Sequence, residues 1–433
     1  MKKYIEKERE LKNCATVDVL VVGSGPSGFA AAYAAAKNGA DTMIIEQNGD
    51  IGGISTSGLM SHWTGSVNSA LYSKLLKRSA EKNEGEWKNK ITNLIDPEKL
   101  KTLYLEMLME AGCKIKLYTF ASDVIMEDNK VKGVIIESKS GRETIFANTV
   151  IDASGDGDIA AKAGVSYQLG RETDGKMQPA TIMFKIAGVD TENAVYLGSF
   201  ESTYETEKGE LQALAKQHLP FPAGHVLLYH STLPGIVTCN MTNCTEVDGT
   251  NADDLTKATI TCRKQMDKII AFLREFVPGY ENCFAISSAS FIGIRETRHF
   301  KGKYTLTEND ILNAKVFDHW IVRDAFFNFD VHNISGAGLD ETGCQKDFHV
   351  KKGYTIPYEC LLPQEKENLL LCGRNISGTH MAHSNFRAMP ICLGIGEAAG
   401  IAAALAAKQH ISLCDVKAEE IQKILLEECQ TNK

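Results

Sequence analysis

The sequence predicts an α/β protein in which a central parallel sheet is interrupted by an inserted α+β domain. Three observations carry this. Residues 17–22 (VDVLVV) form a short β-branched run that leads through a glycine turn and an alanine-rich helix to a second apolar strand, DTMIIE. Strands covered on both faces read as such runs. Near Ser166 the pattern changes to short strand-like runs, polar loops and one long amphipathic helix. Buried-strand character then returns in NLLLCGR, residues 368–374, ahead of a small-residue helix. The first domain is therefore read in two parts, 17–165 and 350–415, around a substrate domain at 166–349, with a lead at 1–16 and a C-terminal helix at 416–433. A chain of 433 residues has room for this arrangement.

Taken in order, the first helix runs from Ser27 to Lys37 and stops at Asn38-Gly39, a C-terminal glycine. LYSKLLKRSAEKNE (71–84) and DPEKLKTLYLEMLMEAG (96–112) are read as helices, the second capped by Asp96, opened by Pro97 and ended by Gly112. Strands alternate with turns over 113–155, with hairpin loops at EDNK and SKSG. ATIMFKIAGV and GIVTCNMT supply strands of the inserted part, and residues 253–277 its long helix. SGAGLDETG (335–343) is a flexible loop by composition. Residues 389–409 form the small-residue helix, and residues 415–429 a charged one.

Hydrophobic residues make up 43% and charged residues 24%, the balance of an ordinary globular chain. The net charge is −8 and no basic tract occurs, which argues against nucleic acid as a partner. The first residues, MKKYIEKERELKNC, lack the apolar core of a secretory signal. The most apolar stretches, 29–36 and 401–407, fall short of the ~20 residues of a bilayer span. A cytoplasmic location without membrane contact is expected. The twelve cysteines are scattered, with no C-x-x-C pair, and are expected to be reduced and buried; a flavin–disulfide relay is disfavoured.

Gly23, Gly25 and Gly28 spell G-x-G-x-x-G around Pro26 and Ser27. The first glycine permits the turn, the second a close approach to a pyrophosphate, and the third helix–strand packing. The helix start offers free amides and a positive dipole end to phosphate. Glu46, ending the second strand before Gln47, stands where a carboxylate binds ribose hydroxyls; glycines placed only for packing leave that acid unexplained. A loop with paired Gly52 and Gly53, then Ile54 and Ser55, follows.

Here the sequence resembles FAD-dependent oxidoreductases of the glutathione-reductase-like superfamily, whose Rossmann-like domain continues from the ribose acid into a Gly-Gly loop. VIDASGDGDIAAKAGV, with Ala153, Ser154 and Gly155, is similar to the element that returns the chain to the cofactor. IGIRETR resembles the core of the family's middle block. NLLLCGRNISGTHMAHSNFRAMPICLGIGEAAGIAAA resembles its C-terminal flavin element, with Gly373, Arg374, Arg387, Pro390 and Ile391. The resemblance implies FAD as cofactor, held at these positions and at those of the first unit. Pro390 suits the first turn of a helix, and the glycines and alanines beyond it leave that helix bare enough for a ring or a strand to approach. If its start faces the flavin, its dipole favours an anionic reduced ring; a plain packing helix is the alternative. Only one glycine triplet occurs, so the electron donor or acceptor is expected to visit, or to be a protein, instead of having a Rossmann domain of its own.

His380 and His383 are candidate proton carriers over the flavin, the first of them at a position where the family often has histidine. Both can instead satisfy backbone carbonyls. Arg387 is expected to contact the cofactor or fix its loop. Arg295 and Arg298, three apart, could hold a carboxylate by bidentate bonds, or Arg295 could pair with Glu296 at the domain interface. His62 and Trp63 are weaker pocket candidates, and His230, His319, His332 and His349 are expected to be structural or exposed. No metal-ligand spacing is present, so no metal is expected. The leading reading is hydride transfer between flavin N5 and a small organic substrate. Alternatives are an ene-reductase acting on an unsaturated carboxylate, by analogy with fumarate reductase flavoproteins, a flavin electron-transfer subunit, and a nucleotide-binding regulator. Homo-oligomers are common among flavoenzymes of this size.

Overall fold

The computed structural model describes residues 3–339 and 350–431. The expectations for His349, for residues 340–343 of the glycine-rich loop and for the boundary at 349 lie outside the described residues.

β1 (Lys12–Val22) begins five residues before the apolar run, because its first turns pair with the far end of β6 below. α1 (Pro26–Lys37) crosses to β2 (Thr42–Ile45), which lies parallel to β1 with Val19 opposite Thr42. α2 (Ala70–Lys82) and α3 (Pro97–Glu110) follow; Asp96 caps α3, accepting from the Glu98 amide at 2.9 Å. β3 (Lys114–Lys116) adds parallel to β2. β4 (Phe120–Glu127), β5 (Lys130–Ser138) and β6 (Gly141–Asp152) then form an antiparallel meander, with turns at the two read hairpins. β6 is long enough to serve two partners along one edge. Its first half pairs with β5, and its last three residues pair with a strand from the C-terminal part.

After α4 (Asp158–Lys162) and β7 (Tyr167–Leu169) the chain enters a second layer. It comprises β8 (Phe184–Ala187), β9 (Glu205–Thr206), β10 (Gly209–Glu210), α5 (Leu211–His218), β11 (Leu228–His230), β12 (Val237–Cys239), α6 (Ala252–Phe276) and β13 (Phe284–Ser288). The order β11-β12-β8-β13 is antiparallel throughout. Phe184 and Ile186 of this sheet pack on Leu273 of α6 in a separate apolar cluster. β14 (Arg298–Phe300) returns antiparallel to β7. α7 (Glu308–Leu312), β15 (Trp320–Ala325) and β16 (Tyr354–Pro357) lead to β17 (Leu369–Leu371), the strand that docks parallel on the end of β6. The chain closes with α8 (His380–Phe386), α9 (Met389–Gln409) and α10 (Ala418–Thr431). The central sheet is thus parallel through β3-β2-β1-β6-β17, with β4 and β5 as an antiparallel wing.

α1 and α9 touch backbone to backbone. A Cβ on Gly396 would lie 2.0 Å from the Ser27 carbonyl oxygen, and one on Gly400 2.2 Å from that of Ala31. The small residues of α9 are therefore packing residues on that face. Among the described helices α9 alone has the length and apolar composition to cross a bilayer, and it is almost wholly buried inside the fold. Eight of the eleven described cysteines are buried, and none is in a disulfide.

Glu397 is the one acid inside α9, 1% exposed. The Ser69 hydroxyl donates to it at 2.6 Å and the Leu71 amide at 3.2 Å. Burial pushes its carboxyl up to about 7 from an ordinary 4.5. The folded state thus keeps a proton that the unfolded chain has released, so stability falls as pH rises through the window between those values. The wild type is therefore expected to lose about 2–3 kcal/mol of stability relative to Glu397→Gln between pH 5 and pH 8, read by urea unfolding of both proteins. A difference between the two that does not change with pH would rule out Glu397 as a source.

Candidate active site

The tight turn between β1 and α1 follows from its glycines. Gly23 has φ +90°, and a Cβ there would lie 2.5 Å from the Ala153 carbonyl oxygen. A Cβ on Gly28 would lie 2.0 Å from the Gly23 carbonyl oxygen. On Gly25 it would meet nothing within 4 Å. Two of the glycines thus let backbone approach backbone, and the third faces space.

That space is a cavity of about 570 Å³, in the range of cofactor and small-molecule sites. Gly23, Gly25, Pro26 and Ser27 line it at the turn, and Glu46, Gln47, Gly53 and Ile54 at the loops after β2. Ala153, Ser154 and Gly155 close it at the end of β6, and Arg374 and Arg387 line it from the C-terminal part. Six expected contacts are corrected, since they do not line it. Gly28 is used in packing. Gly52 starts the short 3-10 turn Gly53–Ser55, and Ser55 is buried, donating to the Gly52 carbonyl at 2.7 Å. Gly373 abuts the Ser27 side chain, where a Cβ would lie 2.4 Å from Oγ. Pro390 and Ile391 turn into the core, while their neighbours Ala388, Met389 and Cys392 bring the start of α9 to the cavity.

Glu46 is 7% exposed and already engaged. One oxygen accepts from the Ser24 amide (3.0 Å) and hydroxyl (2.7 Å), the other from the Asn48 amide (2.9 Å) and side chain (2.8 Å). A ribose hydroxyl reaching this carboxylate would share or replace those donors. Arg374 donates to Asp156 at 2.9 Å beside Gly155.

The other end of the cavity is polar, with Tyr229 from β11, Arg295 from the segment after β13, residues 328–332 from the segment after β15, and Arg387 from the end of α8. Arg295 donates to the Pro179 carbonyl at 2.6 Å. It does not pair with Glu296, nor does it share a face with Arg298, which is held by the Asp156 carbonyl and by Asp158 at 2.8 and 2.9 Å. Arg295 instead stands near Arg387 and Asp330. Burial first, and the charge of Arg387 second, bring its guanidinium down to about 10. Arg387 donates to the Asp330 carboxylate at 2.9 Å and to its carbonyl at 2.7 Å. Burial would raise Asp330, but His332, Arg387 and Arg295 outweigh it and hold the carboxyl well below its usual range. His332, read from the sequence as structural or exposed, is a buried wall residue here. Burial and then Arg295 bring it down to about 4, so it is neutral near pH 7. Burial pushes the Tyr229 phenol up to about 12, which leaves it a hydrogen-bond donor. Asp330 and Asn328 also line the cavity. A signal for all three existed in NFDVHN: Asn328, Asp330 and His332 alternate with the buried Phe329 and Val331, the period of an extended segment.

His380 and His383 are corrected by their placement, because neither lines the cavity. Both belong to a buried cluster behind it. Glu296, fully buried, accepts from His380 Nδ1 and from His299 Nε2 at 2.8 Å on one oxygen, and from the Gln178 amide at 3.1 Å on the other. The His383 and His299 rings lie edge to face, centroids 5.0 Å apart. Burial first holds His383 well below its usual range. Donor atoms of Glu296, His299 and His380 lie within 4.8 Å of one another, a set capable of holding a metal, of which only the Glu296-x-x-His299 pair is adjacent in sequence. His62 stacks on Tyr229 with centroids 5.1 Å apart, and Trp63 is buried; their neighbours Met60 and Thr64 reach the cavity.

A βαβ unit whose glycine turn, ribose-side acid and strand end face one long cavity defines a dinucleotide-binding α/β protein. The chain belongs to the FAD-dependent oxidoreductase family: the model of the family described as FAD dependent oxidoreductase matches residues 18–425. A thiamine thiazole synthase of Pyrococcus horikoshii is 31% identical over 176 residues, 39% of this chain and 69% of that protein. Digeranylgeranylglycerophospholipid reductase 2 of Methanopyrus kandleri is 27% identical over 191 residues, 40% of this chain and 46% of its own length. Among solved structures, a geranylgeranyl bacteriochlorophyll reductase-like protein of Thermoplasma acidophilum superposes with a TM-score of 0.51 at 18% identity, covering 96% of this chain and 86% of that one. A p-nitrophenol 4-monooxygenase of Pseudomonas putida superposes at 0.50 and 10%, covering 96% and 88%. At these identities the likeness is one of fold. The cofactor is FAD, and the residues fit it: the open space over Gly25 and the acid at Glu46 suit a dinucleotide. When bound, FAD supplies the hydride chemistry; the chain supplies orientation, charge and exclusion of water.

Proposed function

We propose that this protein transfers hydride between a small organic substrate and the N5 position of its flavin, within the cavity described. In this reading Gly25, Ser27 and Glu46 hold the nucleotide half, and Arg374 the region beside the strand end at Gly155. The carrying observation is the continuity of one cavity from the glycine turn to the polar wall of Arg295, Tyr229 and Asp330. A pure electron carrier has no use for a polar wall at the far end of its cofactor cavity. The start of α9, at Ala388 and Met389, opens on the same cavity and favours negative charge there by its dipole. A single glycine triplet means that the second redox partner visits the site. The likeness to the thiamine thiazole synthase spans 39% of this chain, and that reaction is not carried over.

The test is spectroscopic. Purified protein should show flavin absorbance, and anaerobic mixing with reduced or oxidised metabolites should bleach or restore it within turnover times. A flavin that exchanges electrons only with protein carriers, and with no small molecule, would defeat the hydride reading.

A further inference from the structure

Among the described residues, the polar wall of the cavity carries one positive charge without a salt-bridge partner. Three charged groups meet there: the guanidiniums of Arg295 and Arg387 and the carboxylate of Asp330. Asp330 is taken by Arg387, which grips both its carboxylate and its carbonyl. His332 at this wall, and His225 behind it on the Asn240 carbonyl, are neutral near pH 7, brought down first by burial to about 4 and about 3. Arg295 is left with a single backbone carbonyl as partner and makes no salt bridge among the described residues. A half-buried cation without a counter-charge gives up part of its hydration without recovering it. One that lines an open cavity can acquire its counter-charge from a ligand.

Resting on the proposed hydride transfer, we propose that Arg295 anchors the head group of the substrate, and that the substrate is a small monocarboxylate. One unbalanced positive charge matches one negative charge. A dianion would bring surplus charge next to Asp330. A planar carboxylate can take two parallel bonds from a guanidinium, and the Tyr229 phenol, a donor at neutral pH, lines the same wall. Met183, Leu227, Ile292 and Phe327 give the same cavity apolar surface. It therefore suits a short hydrocarbon body behind the acid.

The experiment uses the FAD-saturated holoprotein. Crotonate, benzoate and acetate are titrated beside crotonamide, benzamide and acetamide, with inorganic phosphate as the multiply charged probe. Binding is read as a perturbation of the flavin spectrum and as a shift in thermal midpoint. At least one carboxylate should bind, and its amide should bind about 100-fold more weakly. Arg295→Met should lose carboxylate binding by a similar factor at unchanged FAD content, and Arg295→Lys should restore part of it. Should Arg295→Met fail to fold, the acid–amide comparison in the wild type decides alone. Equal binding of acid and amide, no carboxylate binding, preference for phosphate, or full affinity in Arg295→Met would each overturn the proposal. Carboxylate binding with no small metabolite able to bleach the oxidised flavin or to restore the reduced one would leave the anchor standing and remove the hydride reading. A neutral metabolite that bleaches it with no carboxylate preference would do the reverse.

Discussion

Gly25→Leu protein is expected to fold normally and to purify without its yellow colour. The local backbone, with φ −57°, is one that any residue adopts. A Cβ at this position meets no protein atom within 4 Å. The leucine therefore costs the fold little and projects into the room a pyrophosphate needs. The flavin-to-protein ratio, read by absorbance after denaturation, should fall from near one to below ~0.1. Gly28→Leu is the contrasting control, because its Cβ would lie 2.0 Å from the Gly23 carbonyl oxygen. That variant should lose stability as well as flavin, since α1 must move off the strand. Stoichiometric flavin in well-folded Gly25→Leu would show that the cofactor lies elsewhere.

The second large effect is at Glu296. This carboxylate is buried, and its two oxygens take hydrogen bonds from His299, His380 and the Gln178 amide. Burial alone would raise its carboxyl; the bonds from His299 and His380 outweigh that and hold it well below the usual carboxylate range. Removing it leaves two imidazoles and an amide buried without their acceptor. Glu296→Ala is expected to destabilise the protein by about 3–5 kcal/mol, the scale for breaking one side of a buried polar pair. The urea midpoint should drop at unchanged slope. The pH dependence has a defined sign. A folded carboxyl that ionises below its unfolded value contributes stability above about pH 4.5, and that contribution is lost as pH falls through the folded value. Glu296→Gln should therefore blunt the acid sensitivity of the wild type. A variant as stable as wild type at neutral pH would show that the histidines find other acceptors.

How much of this could be read from the chain depends on the range of the interaction. The turn at Gly23, the helix after it and the acid at Glu46 were legible, because one βαβ unit encloses them and backbone geometry sets their spacing. The start of α9 near Pro390 and the cap at Asp96 were legible for the same local reason. Gly52, Ser55, Gly373, Pro390 and Ile391, expected as cofactor contacts, do not line the cavity. In a turn or a helix start, successive residues point in different directions, and which of them face the cavity is set by the element packed behind. Gly373 is spent against Ser27, a residue more than three hundred positions away.

The histidines show the same limit more sharply. His380 and His383 sit in a stretch that resembles a flavin element, yet they turn toward Glu296 because α8 presents them to a buried acid and not to the cavity. Arg295 was singled out with Arg298 as its neighbour in sequence; its neighbour in space is Arg387, ninety-two positions on. The amino-acid order alone thus settled the fold class and the nucleotide turn, since both depend on hydrogen bonds and spacings within a few dozen residues. Tertiary packing alone chose which charges meet at the cavity wall and which histidines do not. That choice depends on how two layers close on one another, and no local pattern records it.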